Sequence, residues 1–389
     1  MKYVDEFRDP EKAKVLIDEI HALKDTLHKD GDTPLQLMEF CGGHTHTIFR
    51  YGVEQMLPDW IELVHGPGCP VCVLPMGRVD DCVTLAERPD VIFTTFGDAM
   101  RVPGSKKSLL QAKAEGADIR MVYSPLDALE LARKNPEHQV IFFALGFETT
   151  MPSTALTVLQ AESEGIKNFA LFCNHITTVP TIKAILDSPD MQIDGFLAPG
   201  HVSMVVGEKP FEFIAETYNK PIVVAGFEPL DILQSIWMVL KQLAEKHCSV
   251  ENQYARIVPA DGNPPGLDAI SKVFELREFF EWRGLGSIDH SGVKMRGKFA
   301  QFDAERKFTV PNIKIADPKS CQCGEVLKGV IRPWECKVFG SACNPETPMG
   351  ALMVSTEGAC AAYYNFGNLP ELLAKRDKKA HNNIKESAA

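Results

Sequence analysis

Short, largely apolar segments of the kind that form buried strands alternate with helical stretches through the first two thirds of this 389-residue chain. The strand candidates include residues 35–40, 91–96, 119–123 and 140–145. Strands that are apolar on both faces are typical of parallel sheets covered by helices on both sides. The alternation therefore predicts an α/β fold built on parallel sheets.

Part of this pattern recurs further along the chain. The segment around Cys41 resembles the segment around Cys173, and the 28-residue step from Cys41 to Cys69 is repeated from Cys173 to His201. The recurrence predicts an internal duplication that produces two similar α/β domains. Ligand sites in such sheets lie beyond the carboxyl ends of the strands. We therefore expect both copies to face one cleft, lined by Cys41, Cys69, Cys72, Cys173 and His201.

Near residue 260 the alternation ends and cysteines become frequent. Four of them are widely spaced along the chain: Cys321, Cys336, Cys343 and Cys360. Cys323 is a substitute for one of these thiols or an additional thiol. Four thiolates on separate loops, without nearby histidines, suit a [4Fe–4S] cluster. A four-cysteine zinc site is the alternative, although zinc ribbons usually carry two close CxxC knuckles, which this region lacks.

The predicted organisation has five parts. They are an N-terminal helical segment over residues 1–35, a first α/β domain over 36–150, a second α/β domain over 151–260, an iron–sulfur cluster domain over 261–374, and a disordered tail over 375–389. Within the cluster domain, a helix is expected over residues 269–282.

Composition excludes several classes of protein. The net charge of −11 and the lack of a basic stripe argue against nucleic acid or an anionic membrane as a partner. No apolar run approaches the roughly 18 residues of a membrane span, and the N-terminus lacks a secretory signal. Eleven cysteines in such a chain indicate metal binding or catalysis in the reducing cytoplasm rather than a disulfide framework.

The stretch Gly66-Pro67-Gly68-Cys69-Pro70-Val71-Cys72 contains a CxxC dithiol of the thioredoxin type. We expect a helix to begin here, with Pro70 at its first position. The helix dipole and the free N–H groups would then lower the pKa of the Cys69 thiol. Half of a structural zinc site is the alternative interpretation.

A second motif, Cys41-Gly42-Gly43-His44-Thr45-His46, places a thiol and two imidazoles at a strand end. These donors suit Fe(II), zinc or copper, but the histidines would equally serve to bind backbone in a glycine-rich turn. Glu148 follows a buried strand, so its carboxylate either faces the cleft or complements a helix N-terminus. Cys82 and Cys248 are expected to be core residues inside helices, and a core position is an equal alternative for Cys173.

Together these motifs resemble those of the hydrogenase maturation factor HypD family. The resemblance covers residues 40–46, 66–72, 146–150, 200–201, 321–325 and 357–364. It implies a cytosolic protein that, with a small HypC-type chaperone, forms the scaffold for the Fe(CN)2CO unit of [NiFe]-hydrogenases. A HypE-type partner carrying a thiocyanate would deliver the cyanide. The family fold, two similar α/β domains and a [4Fe–4S] domain, agrees with the duplication.

The resemblance also implies roles for the motif residues. Cys41 would bind the iron that receives cyanide and carbon monoxide, with His44, Glu148 and His201 at the same catalytic site. Cys69 and Cys72 would form a dithiol/disulfide couple, to which the cluster relays electrons. Two alternatives remain open: a cluster-driven thiol–disulfide reductase acting on other proteins, and a binding module held together by zinc.

Overall fold

The computed structural model describes residues 4–29 and 31–387, with side chains described as far as residue 378. The predicted N-terminal segment and the predicted tail therefore lie partly outside the described residues, at 1–3, 30 and 388–389.

The strands and helices alternate along most of the chain, as the sequence predicts. The strands are β1 (Leu35–Glu39), β2 (Ile61–His65), β3 (Val91–Thr95), β4 (Ile119–Met121), β5 (Gln139–Gly146), β6 (Phe169–His175), β7 (Gly195–Pro199), β8 (Ile222–Ala225), β9 (Val250–Asn252), β10 (Phe274–Leu276), β11 (Phe279–Trp282), β12 (Gly286–Asp289) and β13 (Val293–Met295). The α-helices are α1 (Pro10–Ala22), α2 (Lys24–Leu27), α3 (Gly42–Arg50), α4 (Val53–Met56), α5 (Met76–Ala86), α6 (Leu109–Ala114), α7 (Pro125–Lys134), α8 (Met151–Ser163), α9 (Thr178–Leu186), α10 (Gly200–Val206), α11 (Glu212–Tyr218), α12 (Pro229–Glu245), α13 (Pro264–Val273), α14 (Ala304–Lys307), α15 (Cys323–Leu327), α16 (Ala359–Phe366) and α17 (Leu369–Ser387). Short 3₁₀ helices cover Asp5–Phe7, Asp98–Arg101, Lys209–Phe211, Gly297–Phe302, Pro333–Glu335 and Ala351–Met353.

Two parallel sheets form the centre of the fold. One has five strands in the order β2-β1-β7-β8-β9, and the other has four in the order β4-β3-β5-β6. Their strands are buried almost throughout, because helices cover both faces. The prediction of an α/β fold with parallel sheets is confirmed. Two small antiparallel ribbons, β10-β13 and β11-β12, follow in the last third of the chain.

The two sheets do not follow the predicted division at residue 150. Strands β5 and β6 lie on either side of that position, yet they pair over seven residues within one sheet. Likewise β1, from the predicted first domain, pairs with β7 from the second. The five-stranded sheet is therefore built from two distant parts of the chain, with the four-stranded sheet between them in sequence.

Two local predictions in the last third are wrong. The helix expected over residues 269–282 ends at Val273, and the chain continues as strands because Phe274 and Leu276 pair with Met295 and Val293. The tail expected to be disordered is helical from Leu369 to Ser387. An i,i+4 ion pair between Lys375 and Glu371 contributes to this helix.

The buried Arg78 on α5 joins the four-stranded sheet to the last third of the chain. Its guanidinium donates to Asn174 on β6 (2.7 Å) and to Glu305 on α14 (2.5 Å), and lies 4.1 Å from the centre of the Phe172 ring. Removing one partner of a buried ion pair leaves the other charge uncompensated. Arg78 is therefore a principal tie between these two parts of the molecule.

We expect Arg78→Met to lower the free energy of unfolding by roughly 3 kcal/mol, because Glu305 would keep only Arg277 as a partner. Urea denaturation measures this change. The matched control is Arg88→Met, which removes an exposed arginine paired with Asp90 and should cost less than about 0.5 kcal/mol. Equal effects of the two substitutions would contradict the role given to Arg78.

Candidate functional site

The CGGHTH and CPVC motifs meet at the carboxyl ends of two neighbouring strands. Strand β1 pairs with β2 so that Glu39 lies opposite His65, and each strand then runs into one of the motifs. The Gly66 N–H donates to the Glu39 carbonyl (2.7 Å), and the Gly42 N–H donates to the Gly68 carbonyl (3.1 Å). These bonds hold the loop that contains Cys41 against the loop that contains the disulfide.

Gly68 lies where the backbones of the two loops approach each other. A Cβ atom at this position would lie 2.2 Å from the Cys41 backbone nitrogen and 2.3 Å from the Phe40 carbonyl carbon. Since both of these atoms belong to the backbone, no side-chain movement would relieve the clash. A glycine is therefore required for Cys41 to lie this close to the CPVC loop.

Cys41 is a free, buried thiol at the N-cap of α3. Burial raises its pKa to about 12, and the nearby Glu39 carboxylate acts in the same direction, against the smaller effect of the Gly43 and His44 amides. The thiol is therefore protonated at neutral pH, and a metal bound there would take the place of that proton.

Two histidines flank Phe227, close to Cys41. His44 is fully buried; its Nε2 lies 3.1 Å from the Ala225 carbonyl, and its Nδ1 has no hydrogen-bond partner among the described residues. Burial lowers the pKa of His44. The His44 ring lies 4.8 Å from the Phe227 ring, and the exposed His201 ring stacks on Phe227 at 3.7 Å. The structure therefore places His44 and His201 against the same aromatic ring.

The segment expected to be a glycine-rich turn is the first part of helix α3. His44 does approach a backbone carbonyl, which agrees with one of the two interpretations of this motif. His46 is half-buried and lies edge-on to Phe366, at a ring distance of 6.4 Å.

Cys69 and Cys72 form a disulfide, with their Cα atoms 5.2 Å apart, and both are buried. They lie in a turn, and α5 begins only at Met76, with Pro75 as its N-cap. The prediction that Pro70 opens a helix is therefore wrong. The Cys72 N–H instead points to the Cys69 sulfur, at 3.2 Å.

The five cysteines of the last third line one small pocket; they are Cys321, Cys323, Cys336, Cys343 and Cys360. A Cβ atom at Gly350 would lie 2.5 Å from the sulfur atoms of both Cys321 and Cys323, so the glycine leaves this space open. The cysteine sulfur atoms therefore surround a space that any side chain at position 350 would fill. This arrangement is compatible with an iron–sulfur cluster held by thiolates. Within residues 4–29 and 31–387, no group of three or more His, Cys, Asp or Glu side chains is arranged to hold a single metal ion.

Cys321 and Cys323 both contribute to the pocket, with their sulfur atoms 3.0 Å apart. The hydrogen bond with Cys323 lowers the pKa of Cys321 to about 7, with a smaller contribution from Arg283. The same hydrogen bond, together with burial, raises the pKa of Cys323 well above its ordinary value. Of these two neighbouring thiols, Cys321 is therefore the one that ionises more readily.

The cysteine pocket lies next to the disulfide. A Cβ atom at Gly358, two residues before Cys360, would lie 2.9 Å from the Cys72 sulfur. The buried Arg283 spans the same region: its N–H donates to the Val73 carbonyl (2.8 Å), and its guanidinium donates to the Met349 carbonyl (3.3 Å).

Other predicted site residues lie elsewhere. The Glu148 carboxylate accepts hydrogen bonds from the Thr178 N–H and hydroxyl, both at 2.8 Å, so it complements the N-terminus of α9. Cys173 lies in the core of the four-stranded sheet and donates to the Val293 carbonyl (3.4 Å), which agrees with its interpretation as a core residue and not with a place in the cleft. Cys82 is buried as expected, whereas Cys248 is half-buried and follows the end of α12.

Several residues of the site were not identified from the sequence. Glu39 and His65 lie at the ends of strands that were interpreted only as apolar, and Arg283 lies far from every motif. Phe227 was not identified either, because no local pattern predicts its stacking with the two histidine rings. The side chain of the exposed Glu357 lies over Gly42, where a Cβ atom would be 2.6 Å from its Oε2.

Comparison with known proteins accounts for the presence of all these motifs in one chain. The sequence profile named HypD, described as "Hydrogenase formation hypA family", matches residues 11–367. The chain belongs to the HypD family. The hydrogenase maturation factor HypD of Rhodobacter capsulatus is 58% identical over 371 residues, covering 94% of this chain and 98% of the relative. The hydrogenase maturation factor HypD of Escherichia coli (strain K12) is 54% identical over 366 residues, covering 94% of this chain and 98% of the relative.

Membership of the HypD family confirms the resemblance found from the motifs. A third relative, the hydrogenase maturation factor HypD of Cupriavidus necator, is 48% identical over 379 residues, covering 96% of this chain and 99% of the relative. The chain therefore matches these HypD proteins over almost their whole length. Within the part of the chain that the structure describes, no helix combines the length and hydropathy required to cross a membrane.

The thiols should differ sharply in their reactivity in protein prepared without iron. We expect the rate of Cys321 alkylation to rise about tenfold per pH unit and to level off above pH 7, because its pKa is about 7. Cys82, whose pKa burial raises well above the ordinary value, should stay nearly unreactive. Peptide mass spectrometry after iodoacetamide treatment measures each rate. The same pH profile for both thiols would contradict this assignment.

Proposed function

We propose that this HypD-family chain is an assembly scaffold for the Fe(CN)2CO unit of [NiFe]-hydrogenases. A small HypC-type chaperone would share the iron, and a HypE-type partner would deliver the cyanide. The observation that carries the proposal is the position of Cys41, a free thiol packed against the loop that holds Cys69 and Cys72.

Cys41 would anchor the iron under construction through its thiolate. A thiolate is a soft donor that suits low-spin iron carrying cyanide and carbon monoxide. The buried surroundings of Cys41 would exclude water from the iron. His44, whose Nδ1 has no hydrogen-bond partner within the described part of the chain, would supply a nearby imidazole. The exposed His201 stacks on Phe227, the same aromatic ring that His44 contacts.

Cys69 and Cys72 would supply the electrons that release cyanide. Cleavage of the S–C bond of a thiocyanate requires two electrons and yields a thiolate and a cyanide ion. The reduced dithiol provides both electrons as it closes to the disulfide. Of its two protons, one is taken up by the partner's thiolate and one is released, while the iron binds the cyanide. The structure holds this couple in the oxidised form.

Reduction would return the disulfide to the dithiol with two electrons and two protons. A [4Fe–4S] cluster supplies single electrons when it is bound. The thiols that would hold the cluster are Cys336, Cys343 and Cys360, with either Cys321 or Cys323 as the fourth. The sulfur atoms of Cys321 and Cys323 are 3.0 Å apart. Gly358 keeps the Cys72 sulfur next to the segment that carries Cys360.

The burial of the disulfide favours a scaffold over a reductase that acts on other proteins. The exposed fractions of Cys69 and Cys72 are 2% and 1%, so a protein disulfide has little access to either sulfur. A dithiol that acts on the thiocyanate group of a partner, beside an iron bound to Cys41, needs room for that small group but not for a protein disulfide.

Two substitutions should have opposite effects on the two metal groups. In Cys41→Ser, infrared bands of iron-bound cyanide and carbon monoxide should disappear from the complex with the chaperone, because a hydroxyl is a poor anchor for this iron. Iron–sulfur absorption and the free-thiol count after reduction should be unchanged. Cyanide bands in Cys41→Ser would rule out Cys41 as the anchor, and loss of dithiol reduction would favour the reductase function.

The matched control is Cys343→Ala, on the same preparation. It removes a thiol from the cysteine pocket, so iron–sulfur absorption and sulfide content should fall while Cys41 stays intact. Unchanged iron and sulfide in this variant would contradict the assignment of the pocket to a cluster.

A further inference from the structure

The Glu39 carboxylate, at the end of β1, is fully buried and accepts three hydrogen bonds. Its Oε2 accepts from the Cys41 N–H at 2.8 Å. Its Oε1 accepts from the Thr45 hydroxyl and lies 2.7 Å from His65 Nδ1. Two of these donors belong to the first part of the Cys41 segment, and the third belongs to the strand that leads to the disulfide loop.

His65 completes this arrangement from the neighbouring strand. It lies opposite Glu39 in the β1–β2 register and is only 4% exposed. Its ring packs against Phe49 and Tyr363, at ring distances of 5.2 and 5.8 Å, and its Nε2 has no hydrogen-bond partner among the described residues. The polar contact of the imidazole is therefore with Glu39.

Packing alone does not account for a carboxylate at this position. The neighbouring positions on the two strands, such as Met38 and Val64, are apolar and buried, and an apolar pair would fill the same space without the cost of burying a charge. Every hydrogen bond of the Glu39 carboxylate is instead directed to a group that fixes the Cys41 loop or links it to β2.

From this geometry we infer that Glu39 and His65 are a positioning pair that holds the Cys41 thiol in place against the loop of the Cys69–Cys72 disulfide. The inference rests on the proposed function for the role of Cys41 as the iron anchor. The pair itself touches neither the disulfide sulfur atoms nor the Cys41 sulfur in any described hydrogen bond; it acts through the Cys41 N–H and the strand register. Buried partners of this kind commonly orient groups that bind metals.

The rate at which a buried thiol is alkylated tests this inference, because a reagent reaches Cys41 only when its loop opens. The measurement uses the full chain without iron or partner proteins, with the Cys69–Cys72 disulfide intact, at a single pH. Glu39→Ala removes the acceptor of the Cys41 N–H, and His65→Leu removes the donor to Glu39. We expect Cys41 alkylation to accelerate about tenfold or more in each, comparable to the loss of one hydrogen bond.

A conservative variant separates positioning from general loss of stability. His65→Gln keeps an N–H donor near Glu39 and should restore a rate within about twofold of the wild-type rate. The matched control is Asp81→Asn, which neutralises another fully buried carboxylate, on α5, and should leave Cys41 alkylation unchanged. Circular dichroism confirms that each variant is folded.

Two results would overturn the inference. The first is a folded His65→Leu variant in which Cys41 is alkylated at the wild-type rate. This result overturns the inference even if Glu39→Ala does not fold. The other is an equally fast reaction in His65→Gln and His65→Leu, which would show that the hydrogen bond from residue 65 has no part in holding the loop. Since no iron, cyanide or partner is present, either result is distinguishable from failure of the proposed function, which the infrared bands test.

Discussion

The parallel pairing of β1 with β2 is the interaction on which the candidate site depends. It brings the loops that carry Cys41 and the Cys69–Cys72 disulfide to one edge of the five-stranded sheet, where Gly68 lets their backbones touch. The same register places Glu39 opposite His65, so one buried polar contact joins the strands just where both loops begin. Strand β7, on the other side of β1, leads to the helix that carries His201.

The last third of the chain adds a second group of thiols beside this edge. Gly358 packs on the Cys72 sulfur, and the buried Arg283 contacts backbone carbonyls on both the disulfide loop and the wall of the cysteine pocket. The buried guanidinium of Arg283 stabilises negative charge in its surroundings, and it therefore contributes to the lowered pKa of Cys321. In the proposed function, the cysteine pocket would pass electrons to the adjacent disulfide, and Cys41 on the neighbouring loop would hold the iron.

The sequence identifies the cysteines of the candidate site, but not the framework that positions them. Cys41, Cys69 and the five pocket cysteines could be recognised because few residue types perform redox or metal chemistry, and their spacing is visible in the chain. Glu39 and His65 could not be recognised, because their contact depends on a strand register that no local pattern encodes. The division of the sheets was missed for a related reason: β5 pairs with its successor β6 across the predicted boundary, and β1 pairs with the distant β7, and no local pattern encodes either pairing.

Infrared spectroscopy of the wild-type protein purified with its small partner tests the central claim most directly. A scaffold for the Fe(CN)2CO unit predicts sharp bands from iron-bound cyanide and carbon monoxide, and the cyanide bands should shift when the cyanide source carries ¹³C. A preparation with full iron content, intact iron–sulfur absorption and bound partner, but without any of these bands, would contradict the account.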